Sequence, residues 1–157
     1  MREAMGGTLL VKLLMMFLVI YVIFIAMALN YAKAFKAKNG IIDYIEKYEG
    51  FNNLSQPEID NYLNNLTYQV STQTINDYKN DASSSGITVK HCDTLGYCIE
   101  EYEENGKVKA RVVTFIEFSF FDLDDNYNYT SVIRFPSMKI KGEIRKYSPE
   151  EFWNDTY

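Results

Sequence analysis

Residues 13–29, LLMMFLVIYVIFIAMAL, are seventeen consecutive positions without a charge, and the chain that follows is polar and acidic. With residues 8–11 added and Lys12 extending its ammonium toward the headgroups, the segment reaches about 22 residues. At about 1.5 Å per residue this spans a hydrocarbon core of about 30 Å. The pattern predicts a membrane-anchoring helix. A cleavable secretory signal competes with that reading, because Ala26-Met27-Ala28 offers a small-residue cleavage site and Arg2 and Lys12 a basic flank. The run is longer than the usual signal core of about 7–15 residues, and no helix breaker follows it before Lys38, which favours retention.

Beyond the apolar run the period stays helical. Tyr31, Ala34, Phe35, Ile41, Ile42, Ile45 and Tyr48 form an apolar stripe, with Lys33, Lys36, Asp43, Glu46, Lys47 and Glu49 mostly elsewhere. One helix from Thr8 to Glu49 is expected, about 60 Å long, with Gly50 as its C-terminal cap. A second, short helix starts at a capping box made of Ser55 and Glu58, with Pro57 in its first turn and Leu54 against Ile59, and ends near Leu66. The polar stretch from there to Gly86 reads as part strand and part loop.

From Ile87 the period changes to two. Ile87, Val89, Tyr97 and Ile99 share one side of a hairpin and Cys92 and Cys98 the other, while Asn105-Gly106 marks a second hairpin. In the next strand Val108, Ala110, Val112, Thr114, Ile116, Phe118 and Phe120 share a face, with Lys107, Lys109 and Arg111 opposite. A polar turn at 122–128 and a last strand region at 130–147, interrupted by Pro136, complete the pattern. The fold class is α+β: a long N-terminal helix, a short second helix, then a roughly four-stranded antiparallel sheet packed on the long helix. Ile41, Ile42, Ile45 and Tyr48 are expected to meet Val112, Ile116 and Phe118. The domain organisation is a leader at 1–12, a transmembrane helix at 8–30, its amphipathic extension at 31–50, and an extracytoplasmic domain at 51–157.

Charge narrows the partners. Residues 41–157 carry eleven basic against twenty acidic side chains, a net charge of −9, which repels nucleic acid and anionic headgroups. Thirteen Tyr and ten Phe supply amphipathic rings for a small core and for protein contacts. Cys92 and Cys98 are the two cysteines, placed to face each other across the first hairpin, and a disulfide there persists outside the cytoplasm. Counting Lys33, Lys36 and Lys38 against Arg2 and Lys12 argues mildly for the reverse orientation. The disulfide decides for N-terminus inside, domain outside.

Chemistry is sparse. Asp122, Asp124, Asp125 and Asn126 lack the glycine and distal glutamate of a calcium loop, and His91 with Cys92 and Cys98 is one ligand short of a structural zinc site. No nucleophilic triad or phosphate-cradling glycine motif can be built, so no enzyme activity and no cofactor or metal is expected. The Lys107, Lys109 and Arg111 row is expected to pair with Glu101 and Glu103. The triplets beginning at Asn65, Asn128 and Asn154 fit the glycosylation pattern, but an Asn- and Thr-rich chain makes such triplets by chance.

A short polar leader, the opening EAMGGTLLVKLLMMFLVIYVIFIAMALNYAKAF, and a small sheet stacked on the helix resemble type IV pilin-like proteins. Within that class the opening and the closing strand around Lys141-Gly142-Glu143-Ile144 look most like TadE-like minor pilins of bacterial tight-adherence systems. The resemblance implies a non-enzymatic subunit of a pilus or secretion pseudopilus in the cell membrane at the bacterial surface; the alternatives are a single-pass membrane protein with an extracytoplasmic partner-binding or sensory domain, or a secreted domain released from a signal peptide. It further implies that its apolar helix packs with other pilin-like subunits and the assembly machinery as well as with the bilayer. It also implies leader cleavage between Gly7 and Thr8. Such pilins usually carry a glutamate at the fifth mature position, whose carboxylate neutralises a neighbour's amino-terminus; counted from Thr8 that position is Lys12. The sign is reversed: either the leader is not cut and Lys12 is a snorkelling interface residue, or the subunit is a specialised one, for instance at a tip or base, that need not make the usual pairing.

Overall fold

The computed structural model describes residues 2–117, 119–120, 133–134, 138–146 and 152–153. The fold is α+β. Three helices, α1 (Arg2–Lys47), α2 (Ser55–Asn65) and α3 (Thr72–Ser84), precede strands β1 (Thr88–Asp93), β2 (Tyr97–Glu104), β3 (Lys107–Ile116), β4 (Ser119–Phe120), β5 (Ile133–Arg134) and β6 (Met138–Glu143). The chain divides into two compact units, Met1–Ala32 and Lys33–Tyr157.

In the second unit β1, β2, β3 and β6 form an antiparallel sheet in the order β1-β2-β3-β6, and β4 pairs with β5 separately. The ladder places Tyr97, Ile99, Val112, Thr114 and Gly142 on one face and Cys98, Glu100, Arg111, Val113 and Phe115 on the other. The first face receives the distal half of α1. Ala34, Ala37, Ile41 and Ile45 are buried there at spacings of three and four. The two alanines allow close approach, so that Thr114 Oγ1 donates a 3.0 Å hydrogen bond to the carbonyl of Ala34. Gly142 serves the same end, since a Cβ there would lie 2.6 Å from Ile42 Cδ1.

The stripe is therefore rotated from its sequence expectation. Ile41 and Ile45 are fully buried, as are Val112 and Ile116 on the sheet. Ile42 and Tyr48 are only half-buried, whereas Tyr31 and Phe35 are 53% and 42% exposed and Ala37 takes their place in the core. Helical phase explains this for Tyr31, Phe35 and Ile42, which sit to one side of the sector that holds Ala34, Ala37, Ile41 and Ile45, while Tyr48 follows the last residue of α1. Phe118, the remaining member of the expected packing set, lies outside the described residues, as do Asp122 to Asn126, Pro136 and the triplets at 128 and 154.

Helix α1 ends in a Schellman-type turn: Gly50 N–H donates to Ile45 O at 2.9 Å, and the left-handed residue is Glu49, φ 56°. Gly50, expected to be the cap itself, instead has φ 151° and faces the Phe152 carbonyl, 2.9 Å from where a Cβ would stand. The entry to α2 also differs from the expected Ser55–Glu58 box. Asn52 caps one turn earlier: its Oδ1 accepts from Leu54 N–H and Ser55 N–H at 2.9 Å each, while Ser55 Oγ accepts from Asn52 N–H at 2.9 Å. This is a reciprocal box three residues upstream, and it buries Ser55 instead of leaving it at the boundary.

The largest departure is α3. The stretch read as part strand and part loop is a helix, capped by Ser71, whose Oγ accepts from Thr74 N–H, and burying Ile75, Tyr78 and Ala82 against the second face of the sheet. The Tyr78 and Phe115 rings lie 5.1 Å apart there. This second helix layer is why Val113 and Phe115, on the expected outer face of β3, are buried. The crossover between layers is held by Tyr68. Phe115 N–H donates to its oxygen at 2.8 Å, and its hydroxyl faces the carbonyls of Gly96 (2.9 Å) and Phe115 (3.0 Å). Burial raises the Tyr68 phenol far above its ordinary range.

Because Ile45 is fully buried and Ile42 is not, Ile45→Ala should destabilise the second unit by about 2–5 kcal/mol and Ile42→Ala by clearly less. Denaturant unfolding of the full chain in uncharged micelles, followed through Trp153, checks this. Equal losses would contradict the stated phase of α1.

Candidate functional site

The first unit is one helical segment carrying an apolar surface. Leu9, Leu10, Phe17, Val22, Phe24 and Leu29 are among its large side chains, and each is more than half exposed. No residue in its most apolar 18-residue window is buried. It is long and apolar enough to cross a membrane, and a signal sequence of this length would have the same character. Gly7, Thr8 and Lys12 all lie within α1, and Lys12 is exposed.

In the second unit Cys92 and Cys98 stand opposite each other in the β1–β2 ladder and are joined by a disulfide. The bond ties the edge strand to the buried β2, on the face toward α3. It also removes both sulfurs as thiolate ligands, and among the described residues no group of three or more His, Cys, Asp or Glu side chains is placed to hold a metal ion. The expected alternation across this hairpin is broken by a register shift between Val89 and His91: Val89 stands opposite Glu100, and His91, not Val89, shares a face with Ile99 and Tyr97.

The basic row of β3 finds partners other than Glu101 and Glu103. The ladder pairs Glu100 with Arg111, Tyr102 with Lys109 and Glu104 with Lys107, so even-numbered positions of β2 share the face of the odd-numbered basic residues. Lys109 Nζ lies 2.8 Å from both Glu104 and Glu143, and its ammonium holds the Glu104 carboxyl below its ordinary value. Glu101 faces the other way, to Lys90 at 3.1 Å and the Trp153 indole N–H at 2.9 Å.

Glu100 is fully buried, and its carboxylate is fully engaged. One oxygen accepts from the Tyr78 hydroxyl; the other accepts from Arg111 Nε and lies 3.4 Å from Lys141 Nζ. Arg111 also stacks on the Tyr102 ring at 4.3 Å. Sequence reasoning missed this network because its tyrosine comes from α3. An acidic residue two positions past a buried cysteine and opposite an arginine was the available signal. The network joins α3, β2 and β3 at one buried carboxylate, and removing either partner would leave a charge or a polar group uncompensated there.

A second polar group lies on the opposite face. Among the described residues Asp60 Oδ1, His91 Nε2 and Tyr97 Oη are buried without a hydrogen-bond partner, while the His91 ring packs on Phe51 at 4.6 Å and Tyr97 at 5.9 Å. Burial holds His91 below its ordinary 6.5, opposed by Asp93 and reinforced by Lys79; burial and then Asp93 raise Asp60.

Neither protein-family models, nor curated proteins, nor solved structures yield a match to this chain.

The depressed His91 fixes a sign for pH dependence. Its folded pKa lies below the unfolded value of 6.5, so the unfolded chain binds the proton more readily and stability falls as pH drops through that value. Between about pH 7 and about pH 5 the unfolding midpoint should decline, and His91→Gln should flatten the decline. An unchanged slope in that variant would place the titration elsewhere.

Proposed function

We propose that this chain is a non-enzymatic, membrane-anchored pilin-like subunit, a minor component of a bacterial pilus or secretion pseudopilus. In this reading its N-terminus is cytoplasmic and its disulfide-bonded domain extracytoplasmic. The observation that carries the reading is that α1 runs from an exposed apolar surface directly into the helix whose Ala34, Ala37, Ile41 and Ile45 form the domain's core. A simple tether has no need of such a union; a subunit that transmits packing between helices to a displayed domain does. The Cys92–Cys98 bond supports the outside placement.

Lys12 sets the position in the assembly. In the interior of a helical fibre an unpaired ammonium costs several kcal/mol, so a subunit with Lys12 belongs where water or an acidic partner reaches it, at an end or at the membrane. Quantitative proteomics of sheared surface fibres, with N-terminal sequencing of the same band, tests the proposal. The expected outcome is a sparse subunit beginning at Thr8, with Lys12→Glu tolerated or incorporated more readily along the fibre. Abundant incorporation of the native chain overturns the minor-subunit assignment, and a mature N-terminus near Asn30 shows the apolar segment to be a discarded signal.

A further inference from the structure

The first turns of the second unit concentrate positive charge. Lys33, Lys36 and Lys38 fall within six residues directly after the apolar run, and the next acidic residue in sequence is Asp43. Lys33 and Lys36 are exposed. Among the described residues none of the three has a carboxylate within ion-pair distance, whereas Lys90, Lys109, Lys139 and Lys141 on the sheet all do. The local backbone is fixed: the Lys36 carbonyl accepts from the Tyr62 hydroxyl at 3.1 Å, and Ala34 and Ala37 are buried. Lys38 lays its stem along Gly142 and holds its ammonium 4.3 Å from the centre of the Phe35 ring. Tyr31 and Phe35, the large aromatics of the segment, are on its exposed side.

This composition matches the water–hydrocarbon boundary, where amphipathic rings sit at headgroup depth and ammonium groups meet phosphates. We propose that Lys33, Lys36 and Lys38, with Phe35 beside them, bind the phosphate of an anionic phospholipid in the leaflet from which the helix emerges. The proposal deepens the anchored-subunit reading and rests on it. Position selects the occupant: Lys33, Lys36 and Lys38, none of them ion-paired among the described residues, follow the apolar run within the same helix, so the headgroups of the bilayer that the run enters are the anions nearest to them. The repulsion of anionic headgroups expected from the net charge concerns residues 41–157, and these three lysines precede that stretch.

The test uses the full chain in uncharged detergent micelles, titrated with phosphatidylglycerol or phosphatidylcholine and read by native mass spectrometry. Phosphatidylglycerol should bind tighter, and each of Lys33→Gln, Lys36→Gln and Lys38→Gln should weaken it by about fivefold, while Lys107→Gln at the distant hairpin tip leaves it unchanged. Equal affinity for the two lipids, a triple variant that keeps the preference, or full displacement of the lipid by inorganic phosphate would overturn the headgroup site. These outcomes leave the anchor standing. A chain that stays monodisperse without detergent overturns the anchor and the site together.

Discussion

The buried face formed by Ala34, Ala37, Ile41 and Ile45 is the contact on which the rest of the domain depends. It supplies the surface on which the first face of the sheet closes, and the small side chains at 34 and 37 let Thr114 reach a helix carbonyl. Without that face Tyr97, Ile99 and Val112 would be open to water. Removing a large aliphatic side chain from such a position leaves a cavity that the surrounding structure fills incompletely, which is why this short stretch of helix carries so much weight.

A second layer completes the packing. Helix α3 covers the opposite face and is set by the Tyr78–Glu100–Arg111 contacts and by the ring pair of Tyr78 with Phe115. The chain passes between layers at Tyr68, and the disulfide holds the edge strand to the covered β2. With both faces covered, the sheet is the middle layer of the domain, between the distal half of α1 and α3.

Much of this was legible along the chain. The apolar run, the cross-hairpin cysteines, the Asn105-Gly106 turn and the long β3 strand all follow from local periodicity and turn chemistry, which depend on neighbours in sequence. Helix α3 was not, because its three apolar positions stand among Asn, Asp, Ser and Thr, residues that favour turns and caps, and only the sheet behind Ile75, Tyr78 and Ala82 makes the helix worth forming. The pairing of the basic row was missed for a related reason. A shift of one residue in register exchanges faces, and which acidic residues of β2 meet Lys109 and Arg111 is settled by the hairpin geometry and not by composition. The Asn52 cap was visible in principle, since Asn-x-x-Ser satisfies the same reciprocal bonds as the more familiar pattern ending in Glu.

The account turns on α1 being one uninterrupted helix that serves as anchor at one end and as core at the other. Hydrogen exchange of the full chain in lipid nanodiscs, resolved by residue across 28–40, tests this most directly. Slow exchange throughout that segment, including Asn30 and Asn39-Gly40, is the predicted result. Exchange at unstructured-chain rates anywhere between Leu29 and Ala34 would show a flexible tether in its place and would contradict the account.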